Sequence, residues 1–422
     1  MTDILLKNIL LDGRCVDICI ASGRIEKILP AGGPVPEASE TMDCTGKVAV
    51  PGFINMHTHA AMSLMRGIGE DVVFADWINR IWDIEAGIDH DFIYWGSRVA
   101  AIEMIRTGTT TFNDQYWSFP STVKAVKEAG IRVATGYDVM DKSDPETAAF
   151  QKDQCLERYE LYRSDPTGSH IFTMSFHAVY SVSEPMIVWA SEFAKQRDLP
   201  LHIHLSETRK EVEDCKAAHG GLTPVEYLDR LGVLDRNVLA AHTLWLTPED
   251  IRILGERKVN CIHNINSNAK LCSGFRFPYS ELKEAGANVC LGTDGCASSN
   301  NLDMLEAMKT SALFQKAWRD DPKALPLGEL MEMATVNGAR ALRLDAGVIA
   351  EGSIADLSIV DTASTFFLSP GPFLANFIYS AHSDCIDSVI AGGRFVMKHR
   401  VVEGEEEVLR EARKVLSQIH LR

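Results

Sequence analysis

The chain has 422 residues, 46% of them hydrophobic and 24% charged, which is enough to bury a sizeable core. A formal charge of −16 and a pI near 5.3 have the wrong sign for nucleic acid or an anionic membrane, so neither is expected as a partner. No apolar run reaches bilayer length and the N-terminus lacks a basic-then-apolar leader pattern. The ten cysteines form no CxxC pair and read as reduced thiols, so a cytoplasmic protein is expected.

The first fifty residues read as short strands separated by turns: "DILLKNILL", "VDICIASGRIEKIL" and "VAVPGF". From Gly52 to Arg343 short β-rich runs alternate with amphipathic segments such as "DFIYWGSRVAAIEMIRTG" and "TPEDIRILGERK". That alternation predicts a parallel sheet with crossover helices. Eight runs can be counted, at 53–59, 109–114, 132–138, 170–180, 199–207, 237–243, 258–264 and 287–294. The fold class is therefore α/β, a (β/α)₈ TIM-type barrel over residues 53–343. Strand character returns in "GVIAEGSIADLSIVD" and "IDSVIAGGRFVMKHRVV", so residues 1–52 and 344–422 are expected to build one small β-sandwich domain. A last helix is predicted over "EEEVLREARKVLSQIH".

Histidines and acids gather at the ends of the predicted strands. His57 and His59 end the first run, His177 lies in the fourth, and His204 nears the end of the fifth with Glu207 three residues on. His242, His263 and Asp294 end the sixth, seventh and eighth. In a barrel of this kind those ends share one face, and that face holds the active site. The His57–His59 pair at strand spacing is either half of a metal clamp or two polar residues at a strand end. A lone histidine is more often a hydrogen-bonded or surface residue, and His90, His170, His219, His382, His399 and His420 are read that way. The joint pattern is hard to obtain by chance. His57, His59, His204 and Asp294 are the chosen ligands of one divalent ion, Zn²⁺ or Fe²⁺. His202 is read as a packing or supporting residue. The fourth run holds no lysine that could bridge a second metal, so one ion is expected. Glu207 has two readings: a proton-transfer group beside His204, or a solvated residue opening the helix of "SETRKEVED".

These motifs resemble the amidohydrolase superfamily, and within it the methylthioadenosine/S-adenosylhomocysteine deaminase group. The matching pieces are "PGFINMHTHAAMSLMRG", "FADWINRIWDIEA", "HIHLSET", "AAHTLW", "HNINSNAKL", "LGTDGCASSNNLDM" and "GSIADLSIVD", which together span nearly the whole chain. The resemblance implies a metal-dependent hydrolase barrel that deaminates adenosine-type nucleosides. In it Glu207 would protonate purine N1 and help the amine leave, and His242 would hold the attacking hydroxide and the oxyanion. Asp294 would take the water's proton while staying a ligand. Trp77 would pack against the purine or the 5′ side, Glu85 would accept from the ribose hydroxyls, and His177 would contact the nucleoside. Without the resemblance Trp77 is a packing residue and Glu85 an exposed charge. A relative acting on another ring (guanine, pterin, cytosine or an s-triazine) shares the ligand set, and a catalytically silent scaffold is a further alternative. Self-association is left open.

Three departures from the group's pattern stand out. "SFHAVYSVSE" lacks a Gly-Pro before the histidine, and Ile265 replaces a usual Pro. No arginine follows the third run until Arg158, where members acting on S-adenosylhomocysteine tend to have them. Asp138 stands there instead, so a substrate without a 5′ carboxylate is expected.

Overall fold

Residues 2–418 are described by the computed structural model, and the first fifty fold as five strands. These are β1 (Thr2–Leu11), β2 (Arg14–Ala21), β3 (Arg24–Pro30), β4 (Ala38–Asp43) and β5 (Lys47–Pro51). Asp12 and Gly13, both with positive φ, make the tight turn between β1 and β2.

Eight parallel strands then follow in chain order: β6 (Phe53–Thr58), β7 (Thr109–Asp114), β8 (Arg132–Val139), β9 (His170–Phe176), β10 (Leu201–Leu205), β11 (Val238–His242), β12 (Asn260–His263) and β13 (Asn288–Leu291). Each falls within a predicted run, except that β8 extends one residue further, to Val139. Asn55 of β6 closes the circle on the segment after β13. Its Nδ2 donates to Thr293 Oγ1 at 2.7 Å, and its Oδ1 accepts from the Thr293 N–H at 3.0 Å. Gly292 permits that approach, since a Cβ there would lie 2.8 Å from the His57 nitrogen. The predicted amphipathic segments are helices His90–Arg106 and Pro248–Glu256, the second opened by a Thr247–Asp250 capping box. Outward strand residues such as Phe112, Val133, Ile203 and Val289 share a buried core with helix residues such as Ile105, Val126, Ile187 and Leu254.

Three strands finish the chain's β structure: β14 (Leu357–Asp361), β15 (Ile386–Ala391) and β16 (Arg394–Met397). They join the first five in one mixed sheet of order β16-β15-β14-β5-β1-β2-β3, with β4 parallel to β1. The seam is β5 against β14, with Val48 opposite Val360 and Val50 opposite Ser358. Both limbs feed one core, Ile4, Ile18 and Ile25 packing with Leu357, Ile359 and Ile390. β4 is a strand that the sequence pattern does not announce, because alternate residues of "ASETMD" are polar and exposed. The sheet meets the barrel through Arg132 and Asp356, paired at 2.6 Å and both buried. The last helix runs Glu405–Gln418, and the predicted residues 419 and 420 lie outside the described residues.

Candidate active site

The strand ends bring the predicted ligands together. His57 Nε2 lies 3.4 Å and His59 Nε2 3.3 Å from Asp294 Oδ1, and His204 Nε2 lies 3.3 Å from His59 Nε2. A tetrahedral ion with bonds of about 2.0–2.1 Å holds its ligands about 3.3–3.4 Å apart. The protonation pattern agrees. Nδ1 of His59 faces the Gln115 carbonyl at 2.7 Å, and Nδ1 of His204 the His177 carbonyl at 2.8 Å. A carbonyl only accepts, so both rings carry their proton on Nδ1 and leave a lone pair on Nε2, the two Nε2 atoms facing each other and that of His59 also facing Asp294. Nε2 of His57 is buried and makes no hydrogen bond, a polar atom that needs a partner. Burial opposes ionising Asp294, but His57, 3.4 Å away, and the neighbouring imidazoles hold its carboxyl well below the usual range. Ligand atoms of His57, His59 and His204 lie within 4.8 Å of one another, as do those of His57, His242 and Asp294, and imidazole nitrogens with a carboxylate are a donor set that fits a divalent cation.

The residues around this cluster explain its rigidity. His202 is buried, and its Nε2 lies 2.8 Å from His57 Nδ1, with Asn113 behind it at 3.0 Å. Asp114 is fully buried, and its Oδ1 accepts from the Thr58 hydroxyl (2.8 Å) and the Ala60 N–H (2.7 Å), pinning the turn that carries His59. Ser206, His242 and Asp294 all have left-handed backbone, with φ of 53°, 74° and 66°. For residues with a Cβ this is strained geometry, held at three strand ends of one site.

Glu207 and His242 stand over the cluster, with Glu207 Oε2 3.8 Å from His242 Nε2. Burial, with Asp294 and Glu211 nearby, raises the Glu207 carboxyl well above the ordinary range. Burial thus favours its protonated form, that of an acid. Thr208, not Ser206 or Glu207, caps helix Arg209–Ala218. The Glu211 carboxylate accepts from the N–H groups of Ser206 (2.9 Å) and Glu207 (2.8 Å) and so fixes the turn. His242 is pushed down to about 3, mainly by burial, and is neutral. Its Nδ1 receives the Asn268 amide N–H at 3.0 Å, with the Asn264 amide at 3.4 Å. Ser273 Oγ donates to the Asn268 backbone carbonyl and accepts from the side-chain Nδ2 of Asn268, which sets the carboxamide's orientation. His242 therefore carries its proton on Nε2, as a donor aimed at the site.

One cavity connects His59, His204, Glu207, His242 and Asp294 to a second wall formed by Trp77, Trp82, Glu85, Tyr116, Asp138, Met140 and His177. Trp77, on helix Phe74–Glu85, is anchored by its Nε1–H to the Ala297 carbonyl at 3.2 Å. Glu85 ends that helix, and burial raises its carboxyl. His177 faces Ser181 Oγ at 2.7 Å and is pushed down to about 3 by burial. Asp138, bonded to Gln115 at 2.8 Å, is pushed up to about 6 by burial. No lysine or arginine lines the cavity among the described residues, and Lys142 holds its ammonium 4.9 Å over the Trp82 ring. Every residue predicted for the site lines this cavity except His57, which lies buried beneath it. His263 ends its strand as predicted but stacks on Phe277, centroids 4.2 Å apart, away from the cavity.

Residues 48–396 match the model of the amidohydrolase family. The chain belongs to this family. Among curated relatives, the amidohydrolase is 44% identical to a 5′-deoxyadenosine deaminase of Methanoregula boonei over 89% of this chain and 85% of that one. It is 39% identical to the 5-methylthioadenosine/S-adenosylhomocysteine deaminase 1 of Archaeoglobus fulgidus, over 91% and 90% of the two chains. An adenosine deaminase of Xanthomonas campestris, solved with bound zinc, superposes with a TM-score of 0.92 at 30% identity, over 99% of this chain and 98% of that one.

Sequence reading missed Asp114, Gln115, Tyr116, Glu211, Asn264 and Asn268. Asn264 and Asn268 did carry a signal, since they flank the end of the seventh run in "HNINSNAKL", where a buried carboxamide has few reasons to sit.

Proposed function

We propose that this amidohydrolase removes the 6-amino group of an adenosine-type nucleoside by hydrolysis, releasing ammonia and the inosine analogue, with one zinc ion as cofactor. The observation that carries the reading is Glu207: a carboxyl whose protonated form burial favours, 3.8 Å from a neutral His242 and sharing one cavity with Asp294, whose ionised form is favoured. His57, His59, His204 and Asp294 would hold the ion, which when bound supplies Lewis acidity and lowers the pKa of water at the site to about 7. Asp294 accepts the proton of the attacking water. Glu207 donates to purine N1 as C6 becomes tetrahedral; the carboxylate left takes the proton of the new C6 hydroxyl and delivers it to the departing amine, and the proton on Asp294 returns to Glu207 to close the cycle. The Nε2–H of His242 meets the oxygen on which negative charge develops. Glu85 accepts from the ribose hydroxyls, while Trp77 and His177 bound the nucleoside.

The 5′ substituent carries no carboxylate in this reading, because Asp138 and Glu85 face the cavity and no arginine does. 5′-Methylthioadenosine, 5′-deoxyadenosine and adenosine all satisfy that condition. Every residue assigned a part falls within 53–343, the proposed catalytic barrel, and the strands of 1–52 and 344–422 form a supporting unit. No helix among the described residues is long and apolar enough to cross a membrane, and ten free cysteines suit a reducing cytoplasm.

A substrate panel tests this, with ammonia release and the adenosine-to-inosine absorbance change as readouts. Turnover is expected for the three uncharged nucleosides. A higher kcat/KM for S-adenosylhomocysteine than for all three would overturn the 5′ assignment and point to Lys142. Turnover of guanine or an s-triazine with none of any nucleoside would replace the reaction itself.

A further inference from the structure

The opposite mouth of the barrel holds a second cavity, of about 480 Å³, at the starts of β12 and β13. Five cations line it, Arg236, Lys258, Lys283, Arg340 and Arg343, against a single carboxylate, Glu332. In a chain of formal charge −16 this is a local inversion of sign. Neighbouring acids neutralise only part of it. Arg343 pairs with Asp198 at 2.5 Å, the same Asp198 reached by Arg236 at 3.8 Å, and Lys283 pairs with Glu329 at 2.8 Å. Lys258 and Arg340 have no carboxylate within ion-pair distance among the described residues.

Arg340 is also held in place. Its Nη1 donates to the side-chain oxygens of Asn288 (3.3 Å) and Asn337 (3.2 Å), which leaves Nε and Nη2 without a partner. Asn288 is fixed in turn, since its Nδ2 donates to Asn260 Oδ1 at 2.9 Å and to the Asn337 carbonyl at 3.0 Å. Lys258 donates only to the Gly286 carbonyl, at 3.4 Å. Gly286 is left-handed (φ 93°), and a Cβ there would lie 2.7 Å from the Lys258 ammonium. Neutral carboxamides and a bare backbone thus orient two cations without spending their charge. A guanidinium fork and an ammonium on one concave wall match the oxygens of a phosphoryl group.

We propose that this pocket is a binding site for a multiply charged phosphate anion, of the diphosphate or longer class, remote from the catalytic cavity and independent of the reaction assigned there. The probe is inorganic pyrophosphate, titrated by calorimetry and by thermal melting into the metal-loaded wild type and into Lys258→Ala/Arg340→Gln. Both side chains are exposed, and matching melting temperatures without ligand confirm that the variant folds. Chelation of the active-site metal acts on both proteins alike, so the difference between them is what is read. Saturable one-to-one binding is expected in the wild type, weakening as salt rises, and roughly tenfold or more weaker in the variant. Equal binding by the two proteins, or wild-type stabilisation no greater than that of sodium chloride at matched ionic strength, would overturn the site. Citrate binding as tightly as pyrophosphate would overturn the phosphate assignment.

Discussion

At the C-terminal mouth of the barrel four carboxyl groups, Glu85, Asp138, Glu207 and Asp294, share a cavity with four imidazoles and no lysine or arginine. At the N-terminal mouth five cations line a pocket with one acid. The two ends differ in more than sign. The upper acids and imidazoles are enclosed, several are driven far from their ordinary protonation states by burial, and three strand ends there are in left-handed backbone. Below, Arg340 and Lys258 stand in solvent and are oriented by neutral groups. Enclosure turns a carboxyl into an acid that can hand over a proton at neutral pH. Exposure keeps a cation a cation, suited to capture and to nothing harder. Net charge alone would have hidden both.

The largest effect that tests this contrast lies at Glu207. Glu207→Gln keeps the shape and the hydrogen-bond donor but removes the transferable proton, so kcat should fall by about 10³-fold while metal content stays that of the wild type. Asp294→Asn should lose metal as well as turnover. If the Gln variant turns over normally, enclosure at the upper mouth does not serve proton transfer, and the contrast loses its chemical meaning.

Much of the upper mouth was legible before any coordinates. The alternation of apolar runs and amphipathic helices located all eight barrel strands, because parallel strands buried on both faces read as short apolar blocks. His57, His59, His204 and Asp294 were legible because each sits at a strand's end, where chain position translates directly into place on the rim. Glu211, Asp114 and Asn268 were not. Each works through a neighbour brought close by the fold: Glu211 through the turn of Glu207, Asp114 through the turn after β6, Asn268 through the far nitrogen of His242. His263 shows the converse. Its place at a strand end was correct, and only the packing of Phe277 takes it away from the cavity. The lower pocket was illegible for the same reason, since its five cations come from four separate segments.

Glu85 gives the next effect in size. If its carboxylate binds ribose, Glu85→Gln should lower kcat/KM for adenosine by roughly ten- to a hundredfold, mainly through KM. An unchanged KM would remove Glu85 from the substrate wall. Asn268 should matter less. Loss of one neutral hydrogen bond in Asn268→Ala frees His242 to place its proton on either nitrogen, and kcat should fall about five- to tenfold at constant KM. A change confined to melting temperature would show that Asn268 packs the mouth without directing its chemistry.

The smallest effect concerns Asp138, whose carboxyl is pushed up to about 6, by burial first, with the hydrogen bond from Gln115 opposing. Because the folded value lies above the unfolded one near 4, the native state binds an extra proton between them. The stability this contributes is fully present below about pH 4 and is lost as pH rises through about 6. Asp138→Asn cannot titrate, so its stability relative to the wild type should climb across that window, by about 1–2 kcal/mol once water in the cavity is allowed for. Denaturant melts of both proteins from pH 4 to pH 7, on metal-stripped samples so that no added cation biases the carboxyl, measure the difference. A gap that stays constant with pH would mean that Asp138 titrates in the fold as it does in the unfolded chain. The upper mouth would then tolerate a bare carboxylate at its wall, and enclosure would be confined to the pocket around Glu207.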